Sequence, residues 1–331
     1  MISNIITCME IIDTLSNPPV VSIYMTTYNH EKYIGQAIDS IFSQKCNFEY
    51  EVCISDDASK DKTCEIIEQY QKDHPNIRLN QNEKNIGLTA NFYLVKNMCR
   101  GKYIVVLSGD DYWIDDHKLE KQVNFLETHP DYLAVGTVVE QRADNSTEAM
   151  AYLPEKQFWN QDFTLDMFLE GHNCELNGMM MRNVYIDPEK KELFALMPKM
   201  SKYIDDLTDE LLIHMSGKVF TLPDPTVAYR VRVKQKGDKN FSSINKGMVY
   251  FEKHLELMNN LVKQFGKQVD LFGRYKEVVA NGMLTAMRNK QIKQFMKLCE
   301  SIPQEYRERH VIRESMKLLP AKVAERLKSR L

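Results

Sequence analysis

The chain has 331 residues, of which 43% are hydrophobic and 27% are charged, as expected for a globular enzyme domain with an accessory segment. Its net charge is −3, whereas nucleic-acid-binding domains are typically strongly basic, so we predict no nucleic-acid partner. Seven cysteines without a C-x-x-C pair favour reduced thiols and a cytoplasmic protein.

The N-terminal segment, residues 1–19, is apolar in places but lacks the pattern of a targeting sequence. No Lys or Arg precedes Lys32, Glu10 and Asp13 interrupt the apolar residues, and a Pro-Pro pair ends the segment. These features exclude a signal peptide and a transmembrane span, which needs about 20 apolar residues. We interpret the segment as a short amphipathic leader.

Residues 20–140 alternate strand and helix patterns. Short apolar runs predict four buried strands, at VVSIYMT (20–26), YEVCISDD (50–57), IRLNQN (77–82) and KYIVVL (102–107). Apolar residues at helical spacing follow each of the first three strands. The βαβαβαβ order predicts a mostly parallel α/β sheet flanked by helices, which binds ligands outside the carboxyl ends of its strands.

The pattern beyond residue 140 is less regular. It predicts strands at 174–181, 218–222 and 226–233, a helix at 205–216 and a mobile polar loop at 234–243. Helical periodicity dominates from residue 246 onward, so we predict a helical C-terminal region.

Two acidic pairs stand at predicted strand ends. Asp110 and Asp111 follow the fourth strand, and Asp56 and Asp57 follow the second. Adjacent carboxylates repel each other unless a cation or hydrogen-bond donors compensate them, and Mg²⁺ and Mn²⁺ prefer oxygen ligands. Capping of the following helices explains each pair equally simply when the pair is taken alone.

Tyr28 ends the first strand, where its ring could stack on a nucleobase. The alternative is a half-buried tyrosine that packs on the edge of the sheet.

Four segments, in this order and spacing, resemble family-2 glycosyltransferases with the GT-A fold: VSIYMTTYNHEKYIGQAIDSIFSQ, EVCISDDASKDKT, NEKNIGLTANF and GKYIVVLSGDDYW followed by KLEKQVNFLETHPDY. The resemblance implies that Thr26 and Tyr28 lie near the nucleobase and that Asp57 contacts the uracil. It also implies Asp110 near the ribose or phosphate, and Asp111 as direct ligand of Mn²⁺ or Mg²⁺. Ser108 stands where many members carry Asp, so the metal would depend mainly on Asp111 and the diphosphate.

The resemblance places the catalytic base at Asp206, from its spacing to Gly217 at the end of the predicted helix. Asp205 stands where the family more often has Glu. Asp209 and Glu210 are rival bases, and an acid favoured by the helix dipole is the structural alternative for Asp206.

Arg230 and Arg232 resemble a Tyr-Arg-x-His segment of many relatives, with Arg232 in place of the histidine. Arg230 could bind the leaving diphosphate bidentately, or it could lie on an ordinary basic surface strand. His172 and Asn173 contact the acceptor or simply form a loop.

The resemblance therefore implies an inverting glycosyltransferase that moves a sugar from a nucleotide-sugar, a UDP-sugar, to a hydroxyl of a saccharide or lipid-linked acceptor. The implied setting is surface-polysaccharide synthesis. We predict the leader, a catalytic domain at 20–245 (nucleotide-sugar half 20–140, acceptor half 141–245) and a helical region at 246–331.

Three alternatives belong to other classes. A sugar-phosphate nucleotidyltransferase needs a Gly-rich basic loop where this chain has TTYNHEKY. A non-catalytic homologue predicts damage at Asp111 or Asp206, and both positions are acidic. A Rossmann oxidoreductase is excluded because no G-x-G-x-x-G follows a strand.

Residues 302–331 hold eight Lys or Arg against four Asp or Glu. Such a basic end could lie on the inner face of the cell membrane, near lipid-linked acceptors. The alternative, which we favour, is a helical bundle that packs on the catalytic domain or on a second subunit as a homodimer.

Overall fold

The computed structural model describes residues 18–144, 146–203, 206–231 and 247–328, with side chains as far as residue 323. Several predictions concern residues outside these ranges: nearly all of the N-terminal leader, Asp205, Arg232 and the predicted mobile loop at 234–243.

The first half of the chain forms the parallel part of one sheet. Its strands are β1 (Val21–Thr27), β2 (Tyr50–Asp56), β3 (Ile77–Gln81) and β4 (Tyr103–Val106), in the spatial order β3-β2-β1-β4. The connecting helices are α1 (Ile34–Phe42), α2 (Thr63–Asp73) and α3 (Leu88–Met98). All neighbouring pairs are parallel, which confirms the predicted order of elements.

The second half continues the same sheet in the order β4-β9-β6-β10-β5. Its elements are β5 (Tyr112–Trp113), α4 (Lys118–Thr128), β6 (Tyr132–Ala143), β7 (Ala149–Leu153), β8 (Gln161–Asp162), α5 (Leu165–Leu169), β9 (Met180–Arg182), α6 (Pro188–Phe194), α7 (Met197–Met200), α8 (Asp206–Ser216) and β10 (Lys218–Val231). Strand β9 is antiparallel to both neighbours, whereas β6 and β10 are parallel to each other. The sheet is therefore mixed beyond β4.

Two sequence predictions differ from the structure here. The segment 174–181, predicted as a strand, contains a 3₁₀ turn, Leu176–Gly178, and only its last two residues belong to β9. The strands predicted at 218–222 and 226–233 are one strand, β10, with register irregularities on both sides of Pro225. A proline has no N–H to donate, so the ladder is interrupted where the sequence indicated a break between strands.

The C-terminal region is helical, as predicted: α9 (Met248–Phe265), α10 (Phe272–Asn289), α11 (Ile292–Cys299), α12 (Gln304–Glu308), α13 (Val311–Met316) and α14 (Leu319–Lys328). Buried residues from α9 to α13 share one hydrophobic cluster with α3, α8 and one face of the sheet. Helices α1, α2 and α4 cover the other face.

The helical region therefore packs on the sheet domain, as the favoured alternative predicted. Asn260 of α9 donates to the Met200 carbonyl at 2.8 Å, and Arg274 of α10 donates to the His172 carbonyl. None of the helices in the described part of the chain is both long and apolar enough to cross a bilayer.

Candidate active site

The carboxyl ends of β1 and β4 meet through the Ser108–Asp111 segment, the acidic loop. The Gly109 amide donates to the Thr26 carbonyl at 3.1 Å. A Cβ at Gly109 would lie 2.9 Å from His30 Nδ1 and 3.0 Å from Thr27 Oγ1, closer than real Cβ atoms normally approach. Glycine at this position therefore lets the acidic loop lie directly against the end of β1.

Asp111 is the most buried side chain of the acidic loop, at 2% exposure. Its Oδ1 accepts the Arg230 amide at 2.8 Å, which joins the loop to the end of β10. Burial raises the pKa of Asp111 well above its ordinary range, and the carboxylates of Asp110 and Glu175 raise it further. Asp110 Oδ2 lies 3.8 Å from His30 Nε2.

A divalent cation fits this chemistry because buried carboxylates that repel each other gain stability from a positive ion. Within the described ranges, however, no group of three or more His, Cys, Asp or Glu side chains could hold a metal by itself. Asp111 could therefore hold a cation only together with other oxygen ligands, such as water or a bound diphosphate.

The second acidic pair organises loops. Asp56 Oδ2 accepts the Ser59 amide at 2.8 Å within the loop; α2 begins only at Thr63 and has no side-chain cap, so the helix-capping alternative is wrong for this pair. Asp57 Oδ1 accepts the Ile86 amide at 2.8 Å, and Oδ2 accepts the Gly87 amide at 3.0 Å. Asp57 thus fixes the loop that leads into α3, at the same edge of the sheet as the acidic loop.

Tyr28 and Thr26 mark the nucleotide end predicted from the sequence. Tyr28 directly follows β1 and is 42% exposed, so its ring is accessible to a ligand. Thr26 is buried at 7% exposure within the strand. The left-handed backbone of Asn29 (φ 56°) then turns the chain toward α1.

The three candidate bases lie on helix α8 and differ in burial and in their partners. Asp209 is buried and forms an ion pair with Lys96 of α3. Glu210 is also buried; it accepts the Cys174 amide and lies 3.9 Å from His214 Nε2. Asp206, in the first turn, is the exposed one of the three.

The surroundings of Asp206 favour its neutral form. Although the side chain reaches solvent, the protein packed around it raises the pKa of Asp206 by desolvation. The Leu207 amide, which donates to Oδ1 at 3.1 Å, and His254 of α9 counteract that shift, and Glu210 reinforces it.

The sequence did not predict Glu175 as a site residue, because residues 174–181 were assigned to a strand. It is partly exposed and has a left-handed backbone, with φ 65°. Burial raises the pKa of Glu175 to about 7, and the carboxylates of Glu210 and Asp206 contribute to the shift. No simple sequence signal marks a strained residue of this kind; a polar residue inside an apolar run was the available hint.

Tyr229 of β10 lies near several of these acids. Burial raises the pKa of its hydroxyl above the usual range, and four carboxylates add to that shift: Asp111, Asp110, Glu175 and Asp206. We call these four side chains the acidic cluster, because their charges act on the same hydroxyl group.

The Arg230 guanidinium has other partners than the Asp111 carboxylate that its amide contacts. Its guanidinium lies between the rings of Tyr33 and Tyr112, at 5.1 Å and 4.6 Å, and 3.8 Å from Asp144 Oδ1. These partners already occupy the guanidinium, so its contact with a diphosphate stays a prediction.

His172 and Asn173 belong to the loop before Glu175. The His172 ring packs 4.6 Å from that of Phe158, and Asn173 is exposed. An acceptor contact for either residue stays a prediction.

An α/β sheet with acidic strand ends, extended by antiparallel β9 and followed by α8, defines this chain as a GT-A protein. The chain belongs to Glycosyl transferase family 2, whose family model matches residues 22–187. The membership predicted from the sequence is confirmed.

Similar proteins support the same assignment. The uncharacterized protein Rv1520 of Mycobacterium tuberculosis is 31% identical over 210 residues, which are 63% of this chain and 58% of the relative. The matched region thus spans less than two thirds of that relative. The structure of S. aureus TarS 1-349 in complex with UDP-GlcNAc superposes with a TM-score of 0.63 and 18% identity, and the match covers 93% of this chain and 88% of the TarS 1-349 chain.

A second similar structure is that of the mannosyltransferase PcManGT from Pyrobaculum calidifontis, in complex with GDP-Man and Mn²⁺. It gives a TM-score of 0.50 at 16% identity, covering 92% of this chain and 88% of PcManGT. At these identities the two structures establish the fold.

Proposed function

We propose that the protein is an inverting glycosyltransferase that transfers a sugar from a UDP-sugar to a hydroxyl of a saccharide or lipid-linked acceptor, in surface-polysaccharide synthesis. The observation that carries the proposal is that Asp206 is exposed and that its charge acts on the Tyr229 hydroxyl together with the charges of Asp110 and Asp111. The family supports it, as do the sugar nucleotides bound to the two similar structures.

The donor nucleotide would lie across the carboxyl ends of β1 and β4. The exposed ring of Tyr28 is available to stack on the base, for about 1–3 kcal/mol. Thr26 and the loop fixed by Asp57 would form the wall beside the base. Asp110 would face the ribose or phosphate, and Arg230 would reach the diphosphate only by leaving its present partners.

Asp111 would hold Mn²⁺ or Mg²⁺ together with the diphosphate. The bound cation would neutralise negative charge on the leaving diphosphate. The Arg230 amide fixes the orientation of the Asp111 carboxylate, because it donates to Oδ1 and leaves Oδ2 for other ligands.

Asp206 would act as the general base in a single displacement. Its carboxylate takes the proton of the acceptor hydroxyl while that oxygen bonds to the anomeric carbon; the bond to the diphosphate oxygen breaks, and UDP leaves with the electron pair. Attack opposite the leaving group inverts the configuration. A raised pKa strengthens Asp206 as a base, and the buried partners of Asp209 and Glu210 keep those acids from the acceptor.

The test combines a donor screen with one conservative variant. The wild-type protein is incubated with UDP- and GDP-sugars and Mn²⁺, and nucleotide release is measured. Asp206→Asn should lower turnover about 10²–10⁴-fold, the usual contribution of a general base, while the Kd for UDP stays within about twofold. Asp166→Asn is the matched control, since Asp166 is an exposed aspartate in the first turn of α5.

Turnover in Asp206→Asn close to that of Asp166→Asn would refute the assigned base. Release from GDP-sugars alone would correct the donor. Turnover that is independent of Mn²⁺ and unchanged in Asp111→Ala would refute the metal site.

A further inference from the structure

Glu175 has a strained backbone conformation, and the roles proposed for the other acids do not explain why it is there. Its φ of 65° is unfavourable for a residue with a Cβ, and such strain persists where the surroundings over-determine the conformation. Strained residues cluster at ligand-binding sites. Glycine would relieve the strain, yet the chain places a long acidic side chain here.

The turn that carries Glu175 is anchored on several sides. The Gly178 carbonyl accepts hydrogen bonds from Lys118 Nζ at 3.0 Å, Gln122 Nε2 at 2.8 Å and Thr137 Oγ1 at 2.9 Å. The preceding amide, that of Cys174, donates to Glu210 of α8. Glu175 therefore sits on a rigid element rather than on an adaptable loop.

The same turn bridges the two ends of the proposed reaction. Ser108 Oγ of the acidic loop donates to Asn177 Oδ1 at 3.4 Å, two residues after Glu175. On the other side, the amide of Cys174, the residue before Glu175, donates to Glu210, which lies one turn along α8 from Asp206. Glu175 thus lies between the predicted base and the predicted metal ligand.

We propose that Glu175 binds a hydroxyl group of the donor sugar and determines which sugar the enzyme accepts. The inference rests on the proposed function, because a single displacement requires the sugar ring between the leaving diphosphate and the base. A partly exposed carboxylate on a rigid turn at that place faces the ring.

The chemistry of a carboxylate explains selectivity among sugars. Its oxygens accept hydrogen bonds from hydroxyl groups, and bonds to a charged acceptor are stronger than neutral ones. An epimer whose hydroxyl points elsewhere leaves a desolvated carboxylate unpaired, which disfavours that epimer strongly. Glu175 would therefore weaken the binding of such epimers, in addition to strengthening the binding of the accepted sugar.

The test separates the sugar from the nucleotide. Calorimetry at pH 8 with Mn²⁺ measures the Kd for UDP and for the UDP-sugar that the donor screen identifies, in wild type, Glu175→Gln and Glu175→Gly. We expect the UDP-sugar Kd to rise about 10- to 100-fold in both variants while the UDP Kd changes less than twofold. Glu170→Gln, at an exposed position just after α5, is the control and should change neither Kd.

Glu175→Gly also controls for folding, because glycine adopts positive φ without strain and should melt at or above the wild-type temperature. An unchanged UDP-sugar Kd would overturn the proposal, and so would an equal loss for UDP and UDP-sugar. A wild-type protein that binds neither UDP- nor GDP-sugars would instead overturn the proposed function itself.

Discussion

The ion pair between Lys96 of α3 and Asp209 of α8 anchors the helix that begins at Asp206. Both side chains are buried, at 1% and 3% exposure. Lys96 Nζ also lies 5.3 Å from the Tyr24 ring centroid and 5.9 Å from that of Tyr185. Replacing Lys96 by methionine keeps most of the side-chain volume and removes the charge, which leaves Asp209 as an uncompensated buried carboxylate.

Breaking a buried pair from one side typically costs about 3–5 kcal/mol, whereas replacing both partners by apolar residues is often neutral or stabilising. We therefore expect Lys96→Met to lower the free energy of unfolding by about 3–5 kcal/mol. The double variant Lys96→Met/Asp209→Leu should recover most of that loss. Lys102→Met is the matched control: Lys102 pairs with Glu127 at 2.7 Å on the exposed surface, where a pair contributes at most about 1 kcal/mol.

Urea unfolding followed by circular dichroism measures all four proteins. Two results would contradict the reasoning. One is a Lys96→Met variant as stable as Lys102→Met. The other is a double variant at least as unstable as Lys96→Met, since that would mean the loss comes from packing around Lys96 rather than from an unpaired charge on Asp209.

Three further predictions follow. Burial tends to raise the pKa of Glu51, but hydrogen bonds from Ser22 and Arg100 hold the pKa below 4.5. The urea concentration at the midpoint of unfolding should therefore fall as the pH drops below 4.5, because the carboxylate must then be protonated. This fall should be smaller in Glu51→Gln. Gly178→Ala should destabilise by about 1–3 kcal/mol in the same assay, because its Cβ would lie 2.3 Å from a β6 carbonyl oxygen. Tyr28→Ala should weaken UDP binding about 10- to 100-fold by calorimetry, whereas Tyr28→Phe should not.

The first half of the fold was predictable because three of its four strands, β1, β2 and β4, are buried on both faces. Every residue of β1 is buried, so the sequence shows a continuous apolar run rather than an alternating one. The glycine-containing acidic loop and the helix at 206–216 also follow from local pattern. The antiparallel strand β9 did not, since its three residues are too few to carry a period of their own.

The positions of candidate site residues were predictable where a residue type at a strand or helix end is itself the signal, as at Tyr28, Asp111 and Asp206; their roles stay predictions. It was not predictable where a role depends on tertiary partners. The Arg230 guanidinium packs between two tyrosine rings, and only its amide reaches Asp111. Glu175 reaches the acidic cluster because the anchored turn before β9 places it there, and no local sequence pattern predicts that turn.

The relative position of Asp206 and Asp111 depends on one reversal of the chain. Helix α8 starts at Asp206 and ends at Ser216, and β10 starts at once, at Lys218. A Cβ at Gly217 would lie 2.6 Å from the Leu133 Cβ, so the reversal closes tightly only around glycine. Strand β10 directly follows α8, and its Arg230 amide donates to Asp111. The proposed base and the proposed metal ligand are therefore connected through a single helix–strand unit. A change that loosens the turn at Gly217 would therefore separate the two acids without altering either one.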